Sequence, residues 1–225
     1  MPPGDKNVLL AGPLALKLGR LPQVERELLE RHPRVFIPGF QLGNLRVMRR
    51  GAPTTPEHLV TGLVLLRDNL WGREAQPRLD WKEKLLLHLW QVFPSRELER
   101  RVIDLPERAS QVDIHGDATS ANLLLYRGRV SWIDPQVRSY LPGFPAVDVA
   151  KTWQSATGYE RVLVGENPSF DEDLAGRLLD VGRPYTDWQE VETWWLIHLV
   201  RLLRYHTPTV AGKFREVLRR YACVA

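Results

Sequence analysis

The residues of this chain best equipped for chemistry lie between Val112 and Pro135, in the run V-D-I-H-G-D-A-T-S-A-N-L-L-L-Y-R-G-R-V-S-W-I-D-P. An apolar approach leads into His115-Gly116-Asp117, Asn122 follows five positions after that carboxylate, and Asp134 closes the segment. Those types at those intervals suit phosphoryl transfer, where one group orients the incoming oxygen and others hold a divalent metal against the donor phosphates. A carboxylate with an ordinary pKa near ~4 is a weak base, so Asp117 would orient an acceptor hydroxyl more than strip its proton early. Asn122 supplies a neutral oxygen and Asp134 a charged one, a pair suited to Mg²⁺, which prefers oxygen ligands and keeps several waters.

Something must bring Asn122 and Asp134 together, and the intervening residues predict a hairpin. Asn122 to Tyr126 and Arg129 to Ile133 read as two short strands around Arg127-Gly128, with glycine supplying the positive φ that a tight turn demands. Folding back there lays Asn122 beside Asp134.

The pattern H-G-D-x-x-x-x-N, then I-D-P, then P-G-F-P-A-V-D-V-A-K around Asp148, resembles the aminoglycoside phosphotransferase and choline kinase group of the protein-kinase-like superfamily. The resemblance implies an α+β, protein-kinase-like two-lobed fold. An abbreviated N-lobe of strands and one helix would span residues 1–51, and a mostly helical C-lobe carrying the catalytic loop and metal-binding hairpin would span 52–225. It implies Asp117 as catalytic base, Asn122 and Asp134 as metal ligands, and His115 and Asp148 as braces of the catalytic loop. Ile133-Asp134-Pro135, where other members carry D-F-G, is closest to branches that phosphorylate sugars and related small molecules, such as streptomycin-type and fructosamine-type kinases. Two positions depart from the family: Thr119 stands where a second histidine is usual, and Ala118 replaces a bulky apolar residue.

Lys17, in L-A-L-K-L-G, resembles the lysine on the third strand of kinase-like N-lobes, which pairs with donor phosphates and a helix glutamate. A helix is expected from about Pro22 to Arg31, with Glu27 as that partner and Glu30 as the fallback. Asn7 to Ala11 and Leu14 to Leu18 read as strands about a Gly12-Pro13 turn. Sixteen residues precede Lys17 and contain no G-x-G-x-x-G, so a glycine-rich phosphate lid is expected to be absent or very short. Two more strands are expected between Pro33 and Gly51, and Arg46 to Gly51 is similar to the hinge that receives an adenine ring, although a plain edge strand is an equal reading.

Past Pro56 the pattern is helical. Leu59, Val60, Leu63, Leu66 and Leu70 share one face after a Thr54 or Thr55 cap, and Leu85, Leu86, Leu89 and Trp90 share another after Asp80. Further helices are expected after Ser95, from Ala146 onward, and over 171–181, 187–205 and 209–221. Arg96, Arg100 and Arg101 read as a solvated helix face, Trp194 and Trp195 as core, and Gln136, Lys151 and Trp153 as packing or surface rather than acceptor contacts.

Composition bounds the remaining classes. A formal charge of +4 from interspersed acids and bases is a mixed surface rather than a nucleic-acid footprint. The lone Cys223 excludes an internal disulfide and a cysteine-based zinc site and suits a reducing cytoplasm. No run reaches the roughly 20 apolar residues of a membrane span. The sequence therefore points to a small-molecule kinase using ATP, or another nucleoside triphosphate, with Mg²⁺ on a sugar or aminoglycoside-like hydroxyl. The competing class is a catalytically silent kinase-like module that binds a partner protein.

Overall fold

The structure is a computed structural model and describes residues 8–11, 14–18, 22–42, 45–49, 51–108, 110–136 and 141–221. The first sheet holds β1 (Val8–Ala11), β2 (Leu14–Leu18), β3 (Gly39–Leu42) and β4 (Leu45–Arg49) in the order β1-β2-β4-β3, all antiparallel. Helix α1 (Gln23–Arg31) lies between β2 and β3 in the chain. The expected Gly12-Pro13 turn and Cys223 lie outside the described residues. The hinge reading of Arg46–Gly51 is modified, as is its edge-strand alternative. Strand β4 is an interior strand with β2 on one side and β3 on the other, so its amides are largely spent in the ladder. The chain then leaves through β5 (Ala52–Pro53), which pairs with residues Leu124 and Leu125.

Those residues belong to the predicted hairpin, β8 (Leu123–Tyr126) and β9 (Arg129–Trp132). Its register pairs Tyr126 with Arg129, and both Arg127 (φ 52°) and Gly128 (φ 73°) are left-handed, as a two-residue primed turn requires. Helix α2 (Glu57–Asn69) packs across the hairpin at Gly62. A Cβ there would stand 2.9 Å from both Leu123 Cδ1 and Trp132 Cζ2, and the Gly62 carbonyl accepts the Trp132 indole N–H at 2.9 Å. The predicted threonine cap of α2 does not form. Thr55 bonds the His58 ring instead, and Pro56 occupies the cap position. Asp80 likewise makes an ion pair with Lys84 at 2.6 Å rather than a side-chain cap on α3 (Trp81–Val92). Ser95 does cap α4 (Arg96–Asp104), where Arg100 and Arg101 pair with Glu97 as a surface face would.

A two-stranded sheet, β6 (Glu74–Ala75) with β7 (Gln111–Val112), leads into the loop that carries His115 and Asp117. After it, α5 (Pro145–Ala156) runs through the centre of the helical layer, in contact with α7 (Glu172–Gly182) and α8 (Trp188–Leu202). Aspartates 171 and 187 cap α7 and α8 through their side chains. The short α6 (Tyr159–Leu163) and the C-terminal α9 (Pro208–Tyr221) close the layer. Trp194 and Trp195 are core residues, as their spacing indicated. Among the described residues no helix is long and apolar enough to cross a membrane.

Every residue of α5 except Ser155 is buried, including Asp148, Lys151, Thr152 and Gln154. An apolar helix in that position would need no explanation, but four buried polar side chains on one central helix do. The close approach at Gly62 gives a test of how the hairpin is held. Gly62→Val, which must displace Leu123 and Trp132, is expected to cost about 2 kcal/mol of unfolding free energy by urea titration.

Candidate active site

The loop that carries His115, Gly116 and Asp117 is built by fixing its backbone to α5. Asp148, in the first turn of that helix, accepts the His115 N–H at 2.9 Å and the Gly116 N–H at 2.7 Å, one on each carboxylate oxygen, and the Trp71 indole N–H at 3.2 Å. The helix N-terminus favours a carboxylate there. Burial raises its pKa to about 6, against the pull of those three donors. The N-terminal end of α5 is held in turn by β7, since Val112 N–H donates to the Gly143 carbonyl and Gly143 N–H to the Gln111 side chain.

His115 is fully buried, between Phe36 and Trp132. Burial, outweighing the nearby charges of Asp117 and Asp134, lowers its pKa to about 4. The ring is therefore neutral, and its bonds fix the tautomer. Nδ1 accepts the Asp117 N–H at 3.2 Å, which leaves the proton on Nε2, donated to the Ile133 carbonyl at 2.9 Å. One imidazole thus ties the Asp117 loop to the end of the β8–β9 hairpin. Gly116 has φ +75°, and a Cβ there would lie 2.1 Å from the Gln136 carbonyl oxygen. The chain leaving Asp134 crosses directly over it, with Gln136 N–H donating to the His115 carbonyl at 2.7 Å.

Asn122 meets Asp117 directly, and Asp134 follows the residue bonded to the Asn122 backbone. The Asn122 amide nitrogen donates to Asp117 Oδ2 at 2.9 Å and to the Asp117 carbonyl at 2.8 Å. Ile133 N–H donates to the Asn122 carbonyl at 2.9 Å, which sets Asp134 next to Asn122 across the hairpin's open end. Asp134 is half-buried with φ 52°, a left-handed conformation uncommon for a residue with a side chain and found often at functional positions. With its nitrogen committed to Asp117, Asn122 presents its amide oxygen as the remaining ligand atom. A neutral oxygen beside a carboxylate is a donor set that fits Mg²⁺.

Lys17 stands in β2 opposite Val8 and Arg46 by register, and its side chain lies outside the described residues. Glu27, expected as its partner, is exposed and accepts the Gln23 amide at 2.8 Å, and Glu30 is exposed as well. Glu25 is the buried glutamate of α1, at 7% exposure. The other end of α1 is fastened to the catalytic loop, because buried Asp113 accepts Arg31 Nη1 at 2.7 Å and meets His32 Nε2 at 2.9 Å.

Lys151 was read from the sequence as packing or surface. It is 5% exposed, and its ammonium stands 3.0 Å from Asp117 Oδ1. Burial alone would raise the Asp117 pKa. The Lys151 charge and hydrogen bond, with smaller help from Arg201 and His115, bring it below the ordinary carboxylate value. One signal was available in advance: Lys151 follows Asp148 by three residues, so on a helix it shares the face that meets the catalytic loop. Beside this pair, Glu160 on α6 accepts the Ser120 and Ser155 hydroxyls, the latter at 2.6 Å.

No sequence-family model and no curated protein matches the chain. Its fold is nonetheless similar to that of a glucosamine kinase solved in complex with glucosamine, ADP and inorganic phosphate. The TM-score is 0.67 at 15% identity, over 95% of this chain and 77% of that one. Glucosamine kinase in crystal form A gives 0.64 at 14% identity over 92% and 70%, and in crystal form B 0.61 at 13% over 92% and 73%. The chain has a protein-kinase-like α+β fold, mostly helical with small sheets.

The buried titratable groups set a pH dependence whose sign can be worked out. His115 and His198, both lowered by burial, take up protons more readily when unfolded, so each contributes stability that is complete above about 6.5 and lost as pH falls. Asp148, raised to about 6, acts oppositely between its unfolded value and 6, and offsets His115 over that window. With His88 and His206 lowered as well and Glu190 raised, the lowered histidines outnumber the raised carboxyls, and unfolding free energy is expected to fall as pH drops from 6 to 5. In His198→Gln the fall in urea midpoint across that interval should be smaller.

Proposed function

We propose that this chain is a Mg²⁺-dependent phosphotransferase that moves the γ-phosphate of ATP, or another nucleoside triphosphate, to a hydroxyl of a small molecule of the sugar or aminoglycoside type. The observation that supports this reading is the Asp117–Asn122 hydrogen bond, with Asp134 one residue beyond the backbone bond from Ile133 to Asn122; the three would serve as base, neutral ligand and charged ligand. A partner-binding module has no use for that set. Asn122 and Asp134 would hold the metal, which when bound neutralises charge on the donor phosphates. Asp117 would align the acceptor hydroxyl, and His115 and Asp148 would keep the loop in register. Lys17 would grip the phosphates with a glutamate of α1: Glu27, with Glu30 as the fallback, or the buried Glu25.

The division of labour expected of the fold, a nucleotide-gripping unit over 1–51 and a catalytic unit over 52–225, belongs to the same proposal, as does a cytoplasmic location. The similarity to a glucosamine kinase bound to glucosamine and ADP makes amino sugars the first acceptors to try.

Mg²⁺ and ATP together should raise the melting temperature by roughly 5 °C at saturating nucleotide, with the shift lost in Asp134→Ala. In a turnover panel of sugars, amino sugars and aminoglycosides, Asp117→Asn should lower kcat by about 10²- to 10⁴-fold with little change in KM for ATP. Absence of any nucleotide response would instead favour the partner-binding module.

A further inference from the structure

An ammonium buried at 5% exposure is costly to desolvate, and packing alone would be served as well by methionine. Lys151 occupies the middle of the most buried helix in the molecule, and its charge is directed at one place. Its Nζ lies 3.0 Å from Asp117 Oδ1, while the other oxygen of that carboxylate takes the Asn122 amide. The ring of Tyr159 lies beneath the ammonium, 5.9 Å from its centroid, and covers it from the α6 side. A lysine ammonium has three N–H donors, and Asp117 engages the side of it that faces the catalytic loop. Asp117 itself keeps 28% exposure, so the pair is not sealed within the core.

Resting on the reading of the chain as a small-molecule kinase, we propose that Lys151 is a working part of the transfer site: it holds Asp117 with one N–H and presents the others to the phosphoryl group in flight. In that step the acceptor oxygen bonds to the γ-phosphorus as the bond to the β,γ-bridging oxygen breaks. The bond's electron pair leaves on the nucleoside diphosphate, and the acceptor proton passes to Asp117. Charge spreads over the three equatorial oxygens of the moving group. A fixed cation at the base stabilises that charge in a water-poor site and costs no reorganisation during the step. The position has a structural logic as well. Lys151 is one helical turn from Asp148, so the same rigid helix sets the loop backbone through Asp148 and the base carboxylate through Lys151.

Two measurements test this, one independent of the acceptor. A biotinylated acyl-phosphate derivative of ATP acylates amines that lie against its terminal phosphates. With Mg²⁺ present it should label Lys151 in the intact protein, as read by peptide mass spectrometry, and excess ATP should suppress that label at least tenfold. With an accepted sugar, Lys151→Met should lower kcat about 100-fold while KM for ATP moves less than threefold, and Lys151→Arg should recover part of the rate. A brace with a merely structural role would shift the urea midpoint without that split. Labelling confined to other lysines, or a Lys151→Met kcat within threefold of the parent, overturns the role of Lys151 and leaves the kinase reading intact. No ATP-suppressible label anywhere, together with no thermal response to nucleotide, overturns both.

Discussion

One carboxylate organises this site. Asp148 takes two successive backbone N–H groups of the loop, those of His115 and Gly116, on its two oxygens, and a tryptophan indole besides. Successive peptide N–H groups point the same way only in a particular turn, and Gly116 provides it with φ +75°. Without a buried acceptor those amides would be stranded away from water at a cost of about 1–3 kcal/mol each. Those bonds fix the loop backbone and leave Asp117 partly exposed.

The remaining charges follow from that placement. His115 stays neutral because it is buried, and a neutral ring can both accept from the Asp117 amide and donate to Ile133. Had it been charged, it could only donate, and the link between loop and hairpin would be lost. Asp117, by contrast, is kept ionised by the Lys151 cation beside it despite its surroundings. Two groups two residues apart are thus driven to opposite charge states, one by desolvation and one by a partner.

The segment connecting α1 to the loop shows how elements remote in sequence are tied to the same centre. Asp113 binds Arg31 and His32, and Trp132 N–H donates to the Val35 carbonyl while its own carbonyl accepts the Ile37 N–H. The end of α1 and the segment after it are thus tied to the residues flanking Asp117 and Asp134.

Much of this was written into the local sequence. The hairpin, its Arg127-Gly128 turn, the proximity of Asn122 to Asp134, the helix over 145–156 and the aspartate caps of α7 and α8 all depend on residues a few positions apart, where spacing and turn chemistry decide the outcome. Tertiary packing decided the rest. Lys151 looks like any surface lysine until α5 is enclosed by α7 and α8, and only then must its charge find Asp117. Glu25, Glu27 and Glu30 are chemically alike in the sequence, and the face that α1 turns inward selects Glu25 for burial. The interior place of β4, the pairing of β5 with β8 and the loss of the threonine cap on α2 join segments far apart in the chain. Local propensity carries no information about such partners; burial and hydrogen-bond satisfaction across the whole molecule do.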